Sequence, residues 1–170
     1  MNLVSEQALA LFAGRLEGIT VQRKLEPGLP PVLADPEAMR RALANLIDNA
    51  AEAMQGSLLR VLRVQSALSE DGMAVEVSVS DTGHGLTDEI RERLFLPFYS
   101  TKNRGTGLGL SIAAKIVQEH GGALSAEANT PKGARFLVRL PLMEPSTDQG
   151  ASAVQDSEAA SAGAPRRSIG

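Results

Sequence analysis

Residues 105–111 read GTGLGLS, a glycine-rich run that follows the polar residues 100–104 and leads into an apolar pattern over residues 112–117. Glycine tolerates positive φ and lets a ligand approach the backbone, and the N–H groups that open a helix lie at the positive end of its dipole. The run therefore predicts a phosphate-binding loop followed by a helix over residues 108–120. The same spacing of glycines is equally typical of an ordinary flexible loop.

Two common nucleotide-binding motifs do not fit this run. A Walker loop ends in Gly-Lys-Ser/Thr, whereas the chain has Gly109-Leu110-Ser111. A dinucleotide-binding motif follows a strand directly, and residues 100–104 do not have the pattern of a strand. A ligand at this loop is therefore held in a different way.

An aromatic cluster and two cationic residues precede the glycine-rich run. Phe95, Phe98 and Tyr99 are typical of a small hydrophobic plug, or of the anchor of a mobile lid over a ligand. Lys102 and Arg104 are candidate phosphate contacts and are equally consistent with exposed, solvated charges.

The rest of the chain alternates helical and strand patterns. We expect helices over 3–16, from the N-cap Asp35 to about 55, and from the cap Thr87 to 93. We expect strands over 19–25, 58–68, 74–80, 124–128 and 135–140. We expect one antiparallel pair of strands over 58–80 and another over 124–140. Together with the interleaved helices, this predicts an α+β fold with a mixed five-stranded sheet and three main helices on one face. Residues 1–143 form the predicted domain, and residues 144–170 lack large apolar side chains and are predicted to be a disordered, low-complexity tail.

Composition excludes several classes of function. A net charge of −3 and scattered basic residues provide no field for nucleic acid. The absence of cysteine excludes disulfides and thiolate metal sites, and two histidines are too few for a histidine metal cluster. We interpret His84 as exposed and without a chemical role, and His120 as a partner of a helix C-terminus.

The long helix beginning at residue 36 carries Asn45 and Asn49 on one face, beside its apolar stripe. Such a pair is more often a satisfied core arrangement than a ligand site. The small side chains of Ala50, Ala51 and Ala53 keep the helix surface low enough for a ligand, and amide oxygens suit Mg²⁺ that is shared with phosphates.

Asp81 ends a predicted strand and begins the sequence Asp-Thr-Gly-His-Gly. Most such sequences are only turns. The functional interpretation is that the carboxylate accepts a hydrogen bond from an exocyclic amine such as adenine N6, in space left open by Gly83 and Gly85.

The order of these motifs is more specific than any one of them. Asn45-Leu-Ile-Asp-Asn49-Ala, Asp81-Thr-Gly83-His-Gly85, Phe95-Leu-Pro-Phe98 and Gly105-Thr-Gly107-Leu-Gly109-Leu follow one another, and over about residues 1–142 the chain resembles the catalytic, ATP-binding domain of sensor histidine kinases. The Pro-Phe-Tyr-Ser-Thr-Lys stretch is most similar to the nitrogen-regulation branch of that family.

The resemblance implies a two-layer α/β sandwich, the Bergerat ATP-binding fold shared with gyrase-type ATPases, with Mg²⁺ and ATP as cofactors. It implies that Asn49 coordinates Mg²⁺, that Asp81 binds adenine N6, and that Gly83 and Gly85 shape the adenine pocket. The remaining implied nucleotide contacts and lid residues are Asn45, Lys102, Gly105, Thr106, Gly107, Leu108 and Gly109, with Asn45 and Lys102 in catalytic roles.

The resemblance also implies a reaction and partners. Asn45 occupies the position where related ATPases place a water-activating glutamate, so we expect poor hydrolysis and transfer of the γ-phosphoryl group to a histidine. That histidine would lie on a separate dimerisation and phosphoacceptor domain, with a response regulator downstream and this fragment monomeric and cytoplasmic. A gyrase-type ATPase and a nucleotide-binding regulatory module are the alternatives. Ala134, where the family usually has Thr, is a departure.

Overall fold

The structure is a computed structural model that describes residues 1–99 and 107–143. Within these residues the helices are α1 (Asn2–Leu11), α2 (Pro36–Ala53), α3 (Asp88–Arg93) and α4 (Gly109–Glu119), and the strands are β1 (Thr20–Leu25), β2 (Val61–Leu68), β3 (Ala74–Ser80), β4 (Ala123–Ala128) and β5 (Ala134–Pro141).

The described strands form a mixed five-stranded sheet in the order β1-β2-β3-β5-β4. The edge strand β1 runs parallel to β2, and the other neighbours are antiparallel. A row of paired residues crosses the sheet from Val64 through Val79 and Phe136 to Ala126. The two predicted antiparallel pairs, β2 with β3 and β4 with β5, are confirmed.

The starts of α2 and α3 follow from their capping residues. The Oδ1 atom of Asp35 accepts a hydrogen bond from the backbone N–H of Glu37 at 2.9 Å, and Pro36 occupies the first helical position. The hydroxyl of Thr87 accepts from the N–H of Ile90 at 3.3 Å. Both side chains satisfy amides that have no partner inside the helix, as the sequence predicts.

The core lies between one face of the sheet and the helices. Leu46 of α2, Val77 and Val79 of β3, and Phe136 of β5 are fully buried there. On the other face, Arg63 and Arg135 are charged and at least partly exposed. Because helices cover one face alone, the described chain is a two-layer α/β sandwich, and the predicted fold class is confirmed.

Two predicted elements are too long. The first helix ends at Leu11, and irregular turns continue to Gly18, whose φ of +76° ends them. Strand β2 begins at Val61 rather than at residue 58, because the carbonyl of Leu59 accepts a hydrogen bond from the Thr82 hydroxyl instead of joining a ladder. Side-chain chemistry from a distant loop overrides the local pattern at this boundary.

The predictions for residues 100–106, including much of the proposed lid, and for the tail at 144–170 lie outside the described residues. In the part of the chain that is described, no helix has the length and apolar character needed to cross a bilayer.

Candidate functional site

A cleft of about 260 Å³ opens between α2, the start of α4 and the loop that follows β3. This volume is close to the lower end of the roughly 300–1,000 Å³ typical of small-molecule sites. Its lining combines polar and apolar residues from α2, the loop after β3, the α3 region, the start of α4 and β5: Asn45, Asp48, Asn49, Glu52, Ala53, Asp81, His84, Gly85, Leu86, Ile90, Leu94, Tyr99, Gly107, Gly109, Leu110, Ala134 and Phe136.

Helix α2 supplies one wall of the cleft. Asn45, Asp48, Asn49 and Glu52 are spaced so that they share one face of the helix, and all four line the cleft. Asp48 also reaches out of the cleft to Arg15, with 2.5 Å between its Oδ1 atom and the guanidinium Nη1 atom. The wall therefore presents amides and carboxylates in alternation along the helix.

Asp81 forms the floor of the cleft and has no solvent exposure. Its Oδ1 atom accepts hydrogen bonds from the backbone N–H groups of Gly83, at 2.8 Å, and Ala134, at 3.2 Å. Its own N–H donates to the carbonyl of Ala134 at 2.9 Å. Backbone donors from two different segments thus fix the direction of the carboxylate.

Two glycines allow backbones to meet beside Asp81. A Cβ atom on Gly83 would lie 2.4 Å from the carbonyl oxygen of Ala53 in α2. A Cβ atom on Gly133, whose φ is +110°, would lie 1.9 Å from the carbonyl oxygen of Asp81. Real Cβ atoms do not approach so closely, so glycine is required at both positions for the loop, α2 and the β4–β5 turn to pack together.

The opposite rim of the cleft is the start of α4. A Cβ atom on Gly109 would be in ordinary contact with the Asn45 side chain, 3.7 Å from Oδ1, so the two residues are neighbours at this rim of the cleft. Within the described residues no side chain caps α4, whose N-cap is Leu108. The start of α4, with its first N–H groups, therefore lies beside Asn45.

The structure brings together most of the residues that the sequence predicts for the site. Asn45, Asn49, Asp81, Gly85, Gly107 and Gly109 line one cleft. Gly83 lies behind it against Ala53, and Leu108 lies at the α4 N-cap. Lys102, Gly105 and Thr106 fall outside the described residues. His84 is exposed, as predicted, but it also lines the cleft.

Several lining residues were missed by the sequence interpretation. Asp48 and Glu52 follow Asn45 at helical intervals of three and seven residues, so extending the pattern along α2 would have found them. Ala134 and Phe136 come from β5, and no local signal connects that strand to Asp81. Their place in the site depends on the pairing of β3 with β5.

Comparisons with known proteins agree with this geometry. Residues 34–144 match the family described as histidine kinase-, DNA gyrase B-, and HSP90-like ATPase. The sensor protein FixL of Bradyrhizobium diazoefficiens is 42% identical over 134 residues, which are 79% of this chain and 26% of FixL. The sensory histidine kinase/phosphatase NtrB of Azospirillum brasilense is 35% identical over 143 residues, covering 78% of this chain and 36% of NtrB.

Solved structures of histidine kinases share the fold. The catalytic domain of ThkA superimposes with a TM-score of 0.72 at 30% identity, covering 83% of this chain and 91% of that domain. Full-length ShkA in complex with AMPPNP gives a TM-score of 0.70 at 28% identity, covering 82% of this chain and 30% of ShkA.

The chain thus spans about a quarter of FixL and about a third of NtrB, but nearly all of the ThkA catalytic domain. The family match, over residues 34–144, includes the residues that line the cleft. The chain belongs to the histidine kinase-, DNA gyrase B- and HSP90-like ATPase family, and within it to the ATP-binding catalytic domains of sensor histidine kinases.

Proposed function

We propose that this domain binds Mg-ATP and transfers the γ-phosphoryl group to a histidine on a separate dimerisation and phosphoacceptor domain, from which a response regulator receives it. The observation that carries the proposal is the single cleft in which Asn45, Asn49 and Asp81 meet below the start of α4. The names of the relatives support the kinase reaction, and the AMPPNP complex of ShkA supports a nucleotide at this site.

Asp81 has the environment needed to recognise adenine. It is fully buried, and backbone N–H groups hold its Oδ1 atom in place. A carboxylate accepts hydrogen bonds and donates none, so it selects a ring that carries an amine over a ring that carries a carbonyl at the same position. The nearby apolar residues Leu86, Ile90 and Leu94 suit the faces of a purine.

The chemistry of α2 fits a divalent cation that is shared with the ligand. Asp48, which is paired with Arg15, and Glu52 line the cleft with carboxylates, and no lysine or arginine is among its described lining residues. A triphosphate would therefore be repelled unless a cation neutralised it. Asn49, with an amide oxygen beside these carboxylates, is the residue we propose to hold Mg²⁺, which would neutralise charge on the phosphates.

The start of α4 suits the phosphate end of the nucleotide. The first N–H groups of an α-helix point along its axis without intrahelical partners and favour an anion. Gly109 places this end of α4 next to Asn45, so phosphates held there would lie beside the amides of α2. Lys102, outside the described residues, is our candidate for an additional phosphate contact.

Asn45 favours phosphoryl transfer over ATP hydrolysis. Its amide cannot accept the proton of an attacking water, so the domain would retain ATP until an acceptor histidine arrives. Transfer then breaks the bond between the γ-phosphorus and the bridging oxygen, forms a phosphorus–nitrogen bond, and releases ADP. The domain contributes by positioning the donor and neutralising charge.

Calorimetry with Mg-ATP tests the binding part of the proposal. We expect binding by the wild-type chain and a loss of about tenfold or more for Asp81→Asn, because that change replaces an acceptor oxygen with an amide donor. Asp88→Asn is the matched control, since Asp88 is exposed on α3 and pairs with Arg91 at 3.0 Å. Equal affinities for wild type and Asp81→Asn would remove the adenine assignment.

Transfer is tested by adding a purified helical-hairpin acceptor domain and labelled ATP. Formation of phosphohistidine supports the kinase. Steady-state hydrolysis in the absence of the acceptor would instead support a gyrase-type ATPase, and nucleotide binding with neither activity would identify a regulatory module.

A further inference from the structure

Asn129 lies in the turn between β4 and β5 and is half-buried. Its backbone N–H donates to the carbonyl of Gly133 at 2.9 Å, which closes the turn. The Nδ2 atom of its side chain donates to the backbone carbonyl of Asp81 at 2.7 Å. The two residues are 48 positions apart in the chain, so the contact ties the turn to the floor of the cleft.

With this bond, the side-chain carboxylate, the backbone N–H and the backbone carbonyl of Asp81 are all held by the same turn. Ala134 donates its N–H to the carboxylate and accepts the N–H of Asp81, while Asn129 holds the carbonyl. Gly133 packs directly against that carbonyl oxygen. Because the carbonyl defines the peptide plane after Asp81, fixing it restricts the backbone rotation that would swing the carboxylate.

We propose that Asn129 is a positioning residue for base recognition: it holds Asp81 in the orientation that accepts the exocyclic amine of adenine. This inference rests on the proposed function. Asn129 itself is absent from the residues that line the described cleft, so it acts through Asp81 rather than through the nucleotide.

A purely structural role for Asn129 makes a different prediction. If the residue only stabilised the turn, its loss would lower the fraction of competent domain and would weaken every nucleotide by the same factor. If it orients Asp81, its loss would weaken only the nucleotide whose amine Asp81 binds. ATP and ITP differ at this position, since hypoxanthine carries a carbonyl where adenine carries the amine, so their affinity ratio separates the two roles.

The experiment measures Mg-ATP and Mg-ITP binding by calorimetry for the wild-type chain and for Asn129→Ala and Asn129→Asp. For Asn129→Ala we expect about three- to tenfold weaker ATP binding and unchanged ITP binding, the size of one lost hydrogen bond. Asn129→Asp should lower the ratio further, because a carboxylate oxygen would face the Asp81 carbonyl. Lys132→Ala, exposed in the same turn, is the matched control and should leave the ratio unchanged.

An ATP-to-ITP ratio that stays at the wild-type value in Asn129→Ala would overturn the inference, whether both affinities fall together or neither changes. Thermal melts identify any variant that does not fold. If Asn129→Asp does not fold, Asn129→Ser replaces it. Serine keeps a hydrogen-bond donor of shorter reach, so its ATP-to-ITP affinity ratio should lie between those of Asn129→Ala and the wild type.

The Asp81→Asn variant separates this inference from the proposed function. If Asp81→Asn leaves the ratio unchanged, the adenine assignment itself fails. If Asp81→Asn lowers the ratio and the Asn129 variants do not, only the positioning role fails. In the double variant, Asn129→Ala should cause no further change in the ratio, because the acceptor it orients is already gone.

Discussion

Replacing Gly83 with alanine should destabilise the fold and weaken ATP binding, because the added Cβ atom would collide with the backbone of α2. The added Cβ atom would lie 2.4 Å from the carbonyl oxygen, 2.6 Å from the carbonyl carbon and 2.9 Å from the Cβ atom of Ala53. Ordinary contact begins at 3.4 Å, so the loop and α2 must separate by about 1.0 Å. The obstacle is helical backbone, which cannot rotate away as a long side chain can.

The size of the effect follows from what this separation breaks. The N–H of His84 donates to the same Ala53 oxygen at 3.3 Å, and the N–H of Gly83 donates to the Asp81 carboxylate at 2.8 Å. Overpacking of this kind costs about 1–3 kcal/mol of folding free energy. A hydrogen bond to a charged group contributes about 1.5–3 kcal/mol, so loss of the Asp81 contact should weaken ATP binding by about tenfold to a hundredfold.

Urea unfolding and calorimetry with Mg-ATP measure the two consequences separately. Gly14→Ala is the matched control, since nothing lies within 4 Å of the added Cβ atom and the φ of Gly14 lies outside the left-handed region. The control should retain wild-type stability and affinity. If Gly83→Ala also retained both, the tight packing of this loop against α2 would not be what orients Asp81, and the reasoning would be refuted.

Three further changes test other parts of the structure. Asn49→Ala should reduce ATP affinity in Mg²⁺ to the value that wild type shows in EDTA, measured by calorimetry, and a variant that keeps a full magnesium response would exclude Asn49 as its ligand. Phe136→Ala, at a fully buried position, should lower the free energy of unfolding in urea by about 3–5 kcal/mol, and a loss below about 1 kcal/mol would contradict its place in the core. The Ser69 hydroxyl, the Met73 N–H and Arg139 lower the pKa of Asp71 from 3.8 to about 2, so its contribution to stability is complete above about pH 3.8 and is lost as the pH falls toward 2. The stability difference between wild type and Asp71→Asn should therefore shrink over that range in acid titrations, and a difference independent of pH would argue against these contacts.

Much of the fold is local in origin, which is why the sequence predicts it. The Asp35 and Thr87 caps and the alternation of Val75, Val77 and Val79 each depend on neighbours within a few residues. At the start of β2, one of the boundaries that the sequence misplaces, a distant group intervenes: the Thr82 hydroxyl bonds to Leu59 and Val61. Local patterns contain no information about such partners.

The candidate site also depends partly on local sequence and partly on distant contacts. The sequence by itself determined which residues are candidates for the chemistry, because the Asn45–Asn49 spacing, the Asp-Thr-Gly turn and the glycine-rich run each lie within a few consecutive residues. Only the tertiary structure decided how Asp81 is held, since Ala134, Gly133 and Asn129 reach it through the pairing of β3 with β5. That pairing joins residues 55 to 67 positions apart, from Ser80 with Arg135 to Ala74 with Pro141. Burial of one sheet face against α2 and α4, a property of the whole core, is what selects its register.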